Sequence, residues 1–134
     1  MAVDELGETL YAALGGAAAI RRLVEAFYPR VQGHPDLAPL FPADIRPVLE
    51  RQYRFLTQLL GGPPLYSELY GPPMLRARHL PHAVSPRSRD AWLACMAEAV
   101  AEAGLPPEAG ASLLQRLAPV AAHMVSTPGS TTVG

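Results

Sequence analysis

Residues 20–31 read IRRLVEAFYPRV. Their apolar members, Ile20, Leu23, Val24, Phe27, Tyr28 and Val31, recur at i, i+3, i+4, i+7, i+8 and i+11, which is one face of a 3.6-residue helix and not the period of two that a half-buried strand needs. Upstream, Leu10-Tyr11 leads into a turn at Gly15-Gly16. Downstream, proline divides the chain: 13 of the 15 prolines fall between periodic segments, and a residue without an amide hydrogen ends the helix it would otherwise enter. Residues 33–47, holding Pro35, Pro39, Pro42 and Pro47, read as turns with short helical pieces around Leu37, Leu40 and Phe41. A second long helix opens at Pro47 and closes at Gly61-Gly62, with Val48, Gln52, Phe55, Leu56, Leu59 and Leu60 on one face. Residues 63–73 read as loop. A short helix is predicted over 73–80, placing Leu75 and His79 at i, i+4 beside Arg76 and Arg78, and Pro81 stops it. The next helix has Ser85 as its N-cap, Pro86 in its first turn and Gly104 beyond its last, with Trp92, Cys95, Met96, Ala99, Val100 and Ala103 inward. A final helix from Pro107 to Val125 uses Leu113, Leu114, Leu117, Val120, Ala121 and Met124. With no alternating stretch of useful length, the fold class is all-α.

A chain of 134 residues with 49% apolar content is one domain's worth and buries a core without a disulfide or metal staple. A net charge of −1 provides no general field for nucleic acid or an anionic membrane, so neither is expected as a partner. All 11 cations are arginines, each a permanent charge with a planar fork. The single cysteine, Cys95, has no internal partner; it reads as a buried thiol without a redox role in a reducing compartment. The first nine residues lack a basic leader, and no window approaches the ~18 apolar residues of a membrane span. A cytoplasmic protein is expected.

Three polar side chains sit on apolar helical faces: Tyr28, Gln52 and Trp92. Each must hydrogen-bond or carry a desolvation cost of roughly 1–3 kcal/mol. A buried Tyr or Trp ordinarily finds a backbone carbonyl, whereas a glutamine among Val48, Phe55, Leu56 and Leu59 calls for something polar opposite it. Among the histidines, His34 reads as a solvated turn residue and His123 as a partner of its helix C-terminus. His79 shares a face with Leu75 between two fixed cations, which disfavour its protonation and suit a neutral imidazole for binding metal. No paired-cysteine zinc spacing, Cys-x-x-Cys-His haem attachment, glycine-rich phosphate loop or nucleophile elbow is present. The residues alone support a helical domain with a candidate pocket.

Several separated motifs, in order, resemble a group II truncated haemoglobin over about residues 8–126: Tyr11 to Gly16 (YAALGG), Phe27-Tyr28, Leu40-Phe41-Pro42, Arg54 to Gln58 (RFLTQ), Gly61 to Glu68 (GGPPLYSE), Arg76 to Pro81 (RARHLP) and Arg89 to Met96 (RDAWLACM). The resemblance implies a globin-like, truncated two-over-two helical sandwich around non-covalent haem b, spanning residues 1–126 with a flexible tail at 127–134. It puts the proximal ligand of a pentacoordinate iron on His79 and the distal ligand-stabilising donors on Tyr28, Gln52 and Trp92. It lines the haem pocket with Phe41, Val48, Phe55, Leu75 and Met96 and assigns the haem propionates to Arg76, Arg78 and Tyr66. The implied ligands are O2, CO, NO or other small diatomics, bound reversibly for carriage or scavenging. A haem enzyme with nitric oxide dioxygenase or peroxidase-like activity and a reductase partner is the alternative. A haem-free helical interaction module is a remote one, and monomer and homodimer both remain open. Phe41 has no hydroxyl where many relatives carry Tyr, Val48 stands where classical globins carry a distal histidine, and His82 stands where relatives usually carry Phe. Pro29 directly follows Tyr28, and a proline inside a helix removes a hydrogen bond and kinks the axis, which bears on the aim of Tyr28.

Overall fold

The computed structural model describes residues 9–71 and 85–125. They form α1 (Leu10–Leu14), α2 (Gly16–Gln32), a 3₁₀ turn (Ala38–Leu40), α3 (Arg46–Leu59), α4 (Leu65–Tyr70), α5 (Pro86–Glu102) and α6 (Pro107–His123). No strand occurs among the described residues. The helix expected over 73–80, with Leu75, Arg76, Arg78, His79 and also His82, lies outside the described residues, as does the tail 127–134.

Helix α2 is the centre of the molecule. It packs against α3 on one side and α5 on the other, α5 packs on α6, α3 on α4, and α1 joins α2 to α6. The stripe that defined α2 in the sequence is its core face: Ile20, Leu23, Val24, Phe27, Tyr28 and Val31 are all buried. Thr9 caps α1 by accepting from the Ala12 amide at 3.0 Å. Gly15 then turns the chain at φ 118°, a left-handed conformation, and a Cβ there would stand 3.0 Å from that of Ala19.

Helix α2 runs through Pro29 to Gln32. Pro29 is exposed, and so is Glu25 four residues earlier, so the missing helical hydrogen bond falls on the solvent side of α2. The Arg30 guanidinium adds a donor in the same turn, 3.0 Å from the Ala26 carbonyl oxygen. Arg30 also pairs with Glu98 and Glu102 of α5, fastening the two helices across the surface.

The N-terminus of α5 is as the sequence predicts: the Ser85 hydroxyl accepts from the Ser88 amide at 3.0 Å. Residues 63–73 differ from the expected loop, because Leu65–Tyr70 is helical. The cause is long-range. Gln58 of α3 accepts from the Ser67 amide at 2.9 Å and donates to its hydroxyl at 2.8 Å, supplying the cap that no neighbouring residue provides, and Gly71 ends the helix at φ 77°.

Candidate functional site

Two consecutive aromatics on α2 organise one wall of the candidate site. Phe27 is fully buried, with its ring edge-on to Tyr28 at 4.8 Å and to Trp92 of α5 at 5.3 Å between centroids. Tyr28 in turn meets Phe41 edge-on at 6.1 Å. Such perpendicular contacts set positive ring edge against negative face and contribute about 0.5–1.5 kcal/mol each beyond burial. Phe27 therefore holds the proposed donors Tyr28 and Trp92 in one wall with Phe41. The sequence stripe contained Phe27 but offered no sign that it bridges two site residues.

Phe41 follows the 3₁₀ turn, and that segment is tied to the start of α5. The Ser88 hydroxyl donates to the Asp36 carbonyl at 3.2 Å, and Arg87 pairs with the Asp36 carboxylate at 3.1 Å. His34 is half-buried rather than a solvated turn residue, since its Nδ1 accepts from the Asp36 amide at 3.1 Å. That bond caps the turn.

Among the described residues, the polar groups of this wall meet no partner. Tyr28 is 2% exposed, yet its hydroxyl makes no hydrogen bond among the described residues, and the same holds for the Trp92 indole N–H and the Gln52 amide, both on half-buried side chains. Burial pushes the Tyr28 phenol well above the ordinary tyrosine value, with the Arg51 guanidinium pulling weakly the other way. At physiological pH the group is an O–H, a donor held in a dry environment. A buried hydroxyl without an acceptor costs about 1–3 kcal/mol, which fits a position where a bound group completes the structure.

The other expected pocket residues that the structure describes lie on α3, α4 and α5. Met96 on α5 and Phe55 on α3 are buried in the core, and Val48 is half-buried against it. Tyr66 is buried in a second aromatic cluster, 5.9 Å from the Phe55 ring and 4.9 Å from Tyr70. Leu75, Arg76, Arg78 and His79 lie outside the described residues. Arg51 went unnoticed in the sequence, being one of 11 arginines with no spacing to single it out. Among the described residues no group of three His, Cys, Asp or Glu is placed to hold a metal ion. A buried phenol with no acceptor among the described residues fits the distal side of a haem, whose iron takes one protein nitrogen.

Comparison with known proteins bears directly on this fit. The family model described as bacterial-like globin matches residues 9–126. Group 2 truncated hemoglobin YjbI of Bacillus subtilis (strain 168) is 49% identical over 111 residues, covering 83% of this chain and 84% of the relative. Among solved structures, the group II truncated hemoglobin of Bacillus anthracis superposes with a TM-score of 0.86 at 46% identity, covering 92% of this chain and 95% of that one. A truncated oxygen-avid haemoglobin from Bacillus subtilis does so with a TM-score of 0.83 at 48% identity, covering 87% and 98%. Helix order and similarity along nearly the whole chain agree: this is a 2-on-2 globin, and the chain belongs to the bacterial-like globin family as a group II truncated haemoglobin, a haem b protein.

Proposed function

We propose that this globin binds O2 and other small diatomic ligands reversibly, with His79 as the proximal iron ligand and Tyr28, Gln52 and Trp92 as donors to the bound ligand. Haem iron supplies the site of ligand attachment. The chain supplies the hydrogen bonds, the exclusion of water and the way in. The observation that carries the reading is the Tyr28 hydroxyl, buried, protonated and unpartnered among the described residues. Donors already aimed in a low-dielectric pocket stabilise developing negative charge without reorganising at the moment of binding.

Each residue then has a part. Phe27 fixes the angle between Tyr28 and Trp92, so the phenol and the indole are set by one rigid ring. Phe41 packs on Tyr28 and adds no donor, leaving retention to the other three groups. Val48 is small and half-buried, a lateral passage where a bulkier residue would stand in the way. Arg76, Arg78 and Tyr66 are assigned to the propionates, and Leu75, Phe55 and Met96 to the apolar pocket. The relative whose structure is described as oxygen-avid favours O2 as the ligand.

The test is spectroscopic. The purified chain should show a Soret band in ferric, ferrous and CO-bound forms at one haem per chain, and His79→Gly should abolish stable haem retention while His82→Ala preserves it. Loss of haem from the His82 variant alone would overturn the assignment of the ligand.

A further inference from the structure

Residues 34–41, which end in Phe41, are knitted into one piece by their own backbone. The Leu37 and Ala38 amides donate to the His34 carbonyl at 3.0 and 2.9 Å, and the Leu40 and Phe41 amides donate to the Leu37 and Ala38 carbonyls at 2.8 and 3.2 Å. Asp36 joins this piece to α5 twice, and the two ties differ. The pair between Arg87 and the Asp36 carboxylate lies on the surface, with the Arg87 side chain 82% exposed, and such pairs contribute little. Ser88 is buried. Its hydroxyl accepts from the Ser85 hydroxyl at 3.1 Å and donates its one proton to the Asp36 carbonyl at 3.2 Å.

Ser88 also stands one helical turn before Trp92 on α5. The two proposed donors, Tyr28 and Trp92, therefore lie on a closed circuit. On one side Phe27 bridges them ring to ring. On the other, the path runs from Trp92 back along α5 to Ser88, across its hydrogen bond to Asp36, and through the knitted turn to Phe41, whose ring meets Tyr28 edge-on. Helix, turn and aromatic contacts make up the rest of the circuit, so the link that loss of a single atom opens is the Ser88 hydroxyl.

We propose that Ser88 is a positioning residue for ligand binding: by holding the Asp36 carbonyl to α5, it seats Phe41 against Tyr28 and fixes the Tyr28 hydroxyl relative to Trp92. The proposal rests on the reading of Tyr28 and Trp92 as donors to a haem-bound ligand. Its physical basis is that a donor stabilises a ligand only at the right distance and angle, and that supporting hydrogen bonds hold it there. Trp92 shares a helix with Ser88, so the bond acts on the Tyr28 side of the pair.

The CO-bound and oxygenated holoprotein test it. Ser88→Ala should speed O2 release roughly two- to fivefold, part of a hydrogen bond's worth, and should broaden the C–O stretch of the CO form and move it up. In a Tyr28→Phe background the same substitution should change neither. Hydrogen exchange at the Leu40 and Phe41 amides should quicken in Ser88→Ala, while the α6 amides keep their protection. Arg87→Gln, which cuts only the surface pair, should alter the off-rate less than Ser88→Ala does. If Ser88→Ala does not fold, His34→Ala opens the same turn by removing the acceptor of the Asp36 amide and should give the same signs. An off-rate and C–O stretch equal to wild type would overturn the proposal. So would equal acceleration with and without the Tyr28 hydroxyl, or an effect of Arg87→Gln as large as that of Ser88→Ala. A wild-type chain without a Soret band, or an O2 off-rate unmoved by Tyr28→Phe, marks instead the failure of the underlying reading, and both are measured before any Ser88 variant.

Discussion

Thr57 and Tyr28 are both buried polar residues on long helices, and their surroundings differ in one respect. Thr57, fully buried where α1, α3 and the Gly61-Gly62 turn meet, donates to the Tyr53 carbonyl at 2.8 Å. Around it every polar junction is closed: the Gly62 amide donates to the Thr57 carbonyl at 2.8 Å, the Tyr11 amide to the Leu60 carbonyl at 2.8 Å, and Gln58 clasps Ser67. Tyr28, on the wall between α2 and α5, is nearly as buried and closes nothing among the described residues. One region spends its hydrogen bonds on the fold. The other leaves donors without an acceptor among the described residues, and a donor held out of water is what the proposed ligand site requires.

The largest way to break this comparison is at the closed junction. A Cβ at Gly62 would stand 2.9 Å from Thr57 Cγ2, 3.0 Å from the Thr57 carbonyl oxygen and 3.0 Å from Tyr11 Cδ1. Two walls of that space are backbone and a β-branched side chain, which yield little. Gly62→Ala should cost about 1–3 kcal/mol by overpacking, read as a lowered urea midpoint at unchanged m-value; a midpoint equal to wild type would show that the junction is loose.

The open wall should respond with the opposite sign. Removing an unsatisfied buried hydroxyl relieves its desolvation, so Tyr28→Phe should leave the cofactor-free chain as stable as wild type or more so, by up to about 1 kcal/mol. In the holoprotein the same change, like Trp92→Phe, deletes a donor and should speed O2 release roughly five- to tenfold, the equivalent of a lost hydrogen bond of about 1–1.4 kcal/mol. If both variants destabilise the apoprotein and leave the off-rate alone, these residues are ordinary core.

The smallest effect concerns alkali. Burial raises the Tyr28 phenol above its unfolded value near 10, so above that pH the unfolded chain gives up a proton that the folded chain keeps. The unfolded state then binds fewer protons and stability declines as pH rises; below pH 10 this contribution is fully present. Unfolding free energy measured between pH 9 and 11 should fall less steeply in Tyr28→Phe than in wild type, and parallel curves would place the hydroxyl in water.

Much of the fold was legible because it is local. The stripe on α2, the Ser85 cap and the glycine at position 15 depend on residues within a few positions of one another, and periodicity reports them. Tyr28, Gln52 and Trp92 were visible for the same reason, as polar side chains on apolar faces. Helix α4 was not, because its cap is Gln58, supplied by a different helix. Nor was Phe27 distinguishable from other core residues, since its bridging role depends on where α5 places Trp92.

The sequence by itself determined the helical class, the helix boundaries set by proline and glycine, and the type of residue offered to the pocket, because each follows from backbone stereochemistry and the 3.6-residue period. Only the tertiary structure decided which of those polar groups are satisfied. Whether an arginine meets a carboxylate or a phenol meets an acceptor depends on groups tens of residues apart being packed together. On that point the described residues divide into a closed framework around Thr57 and a wall at Tyr28 whose phenol meets no acceptor among them.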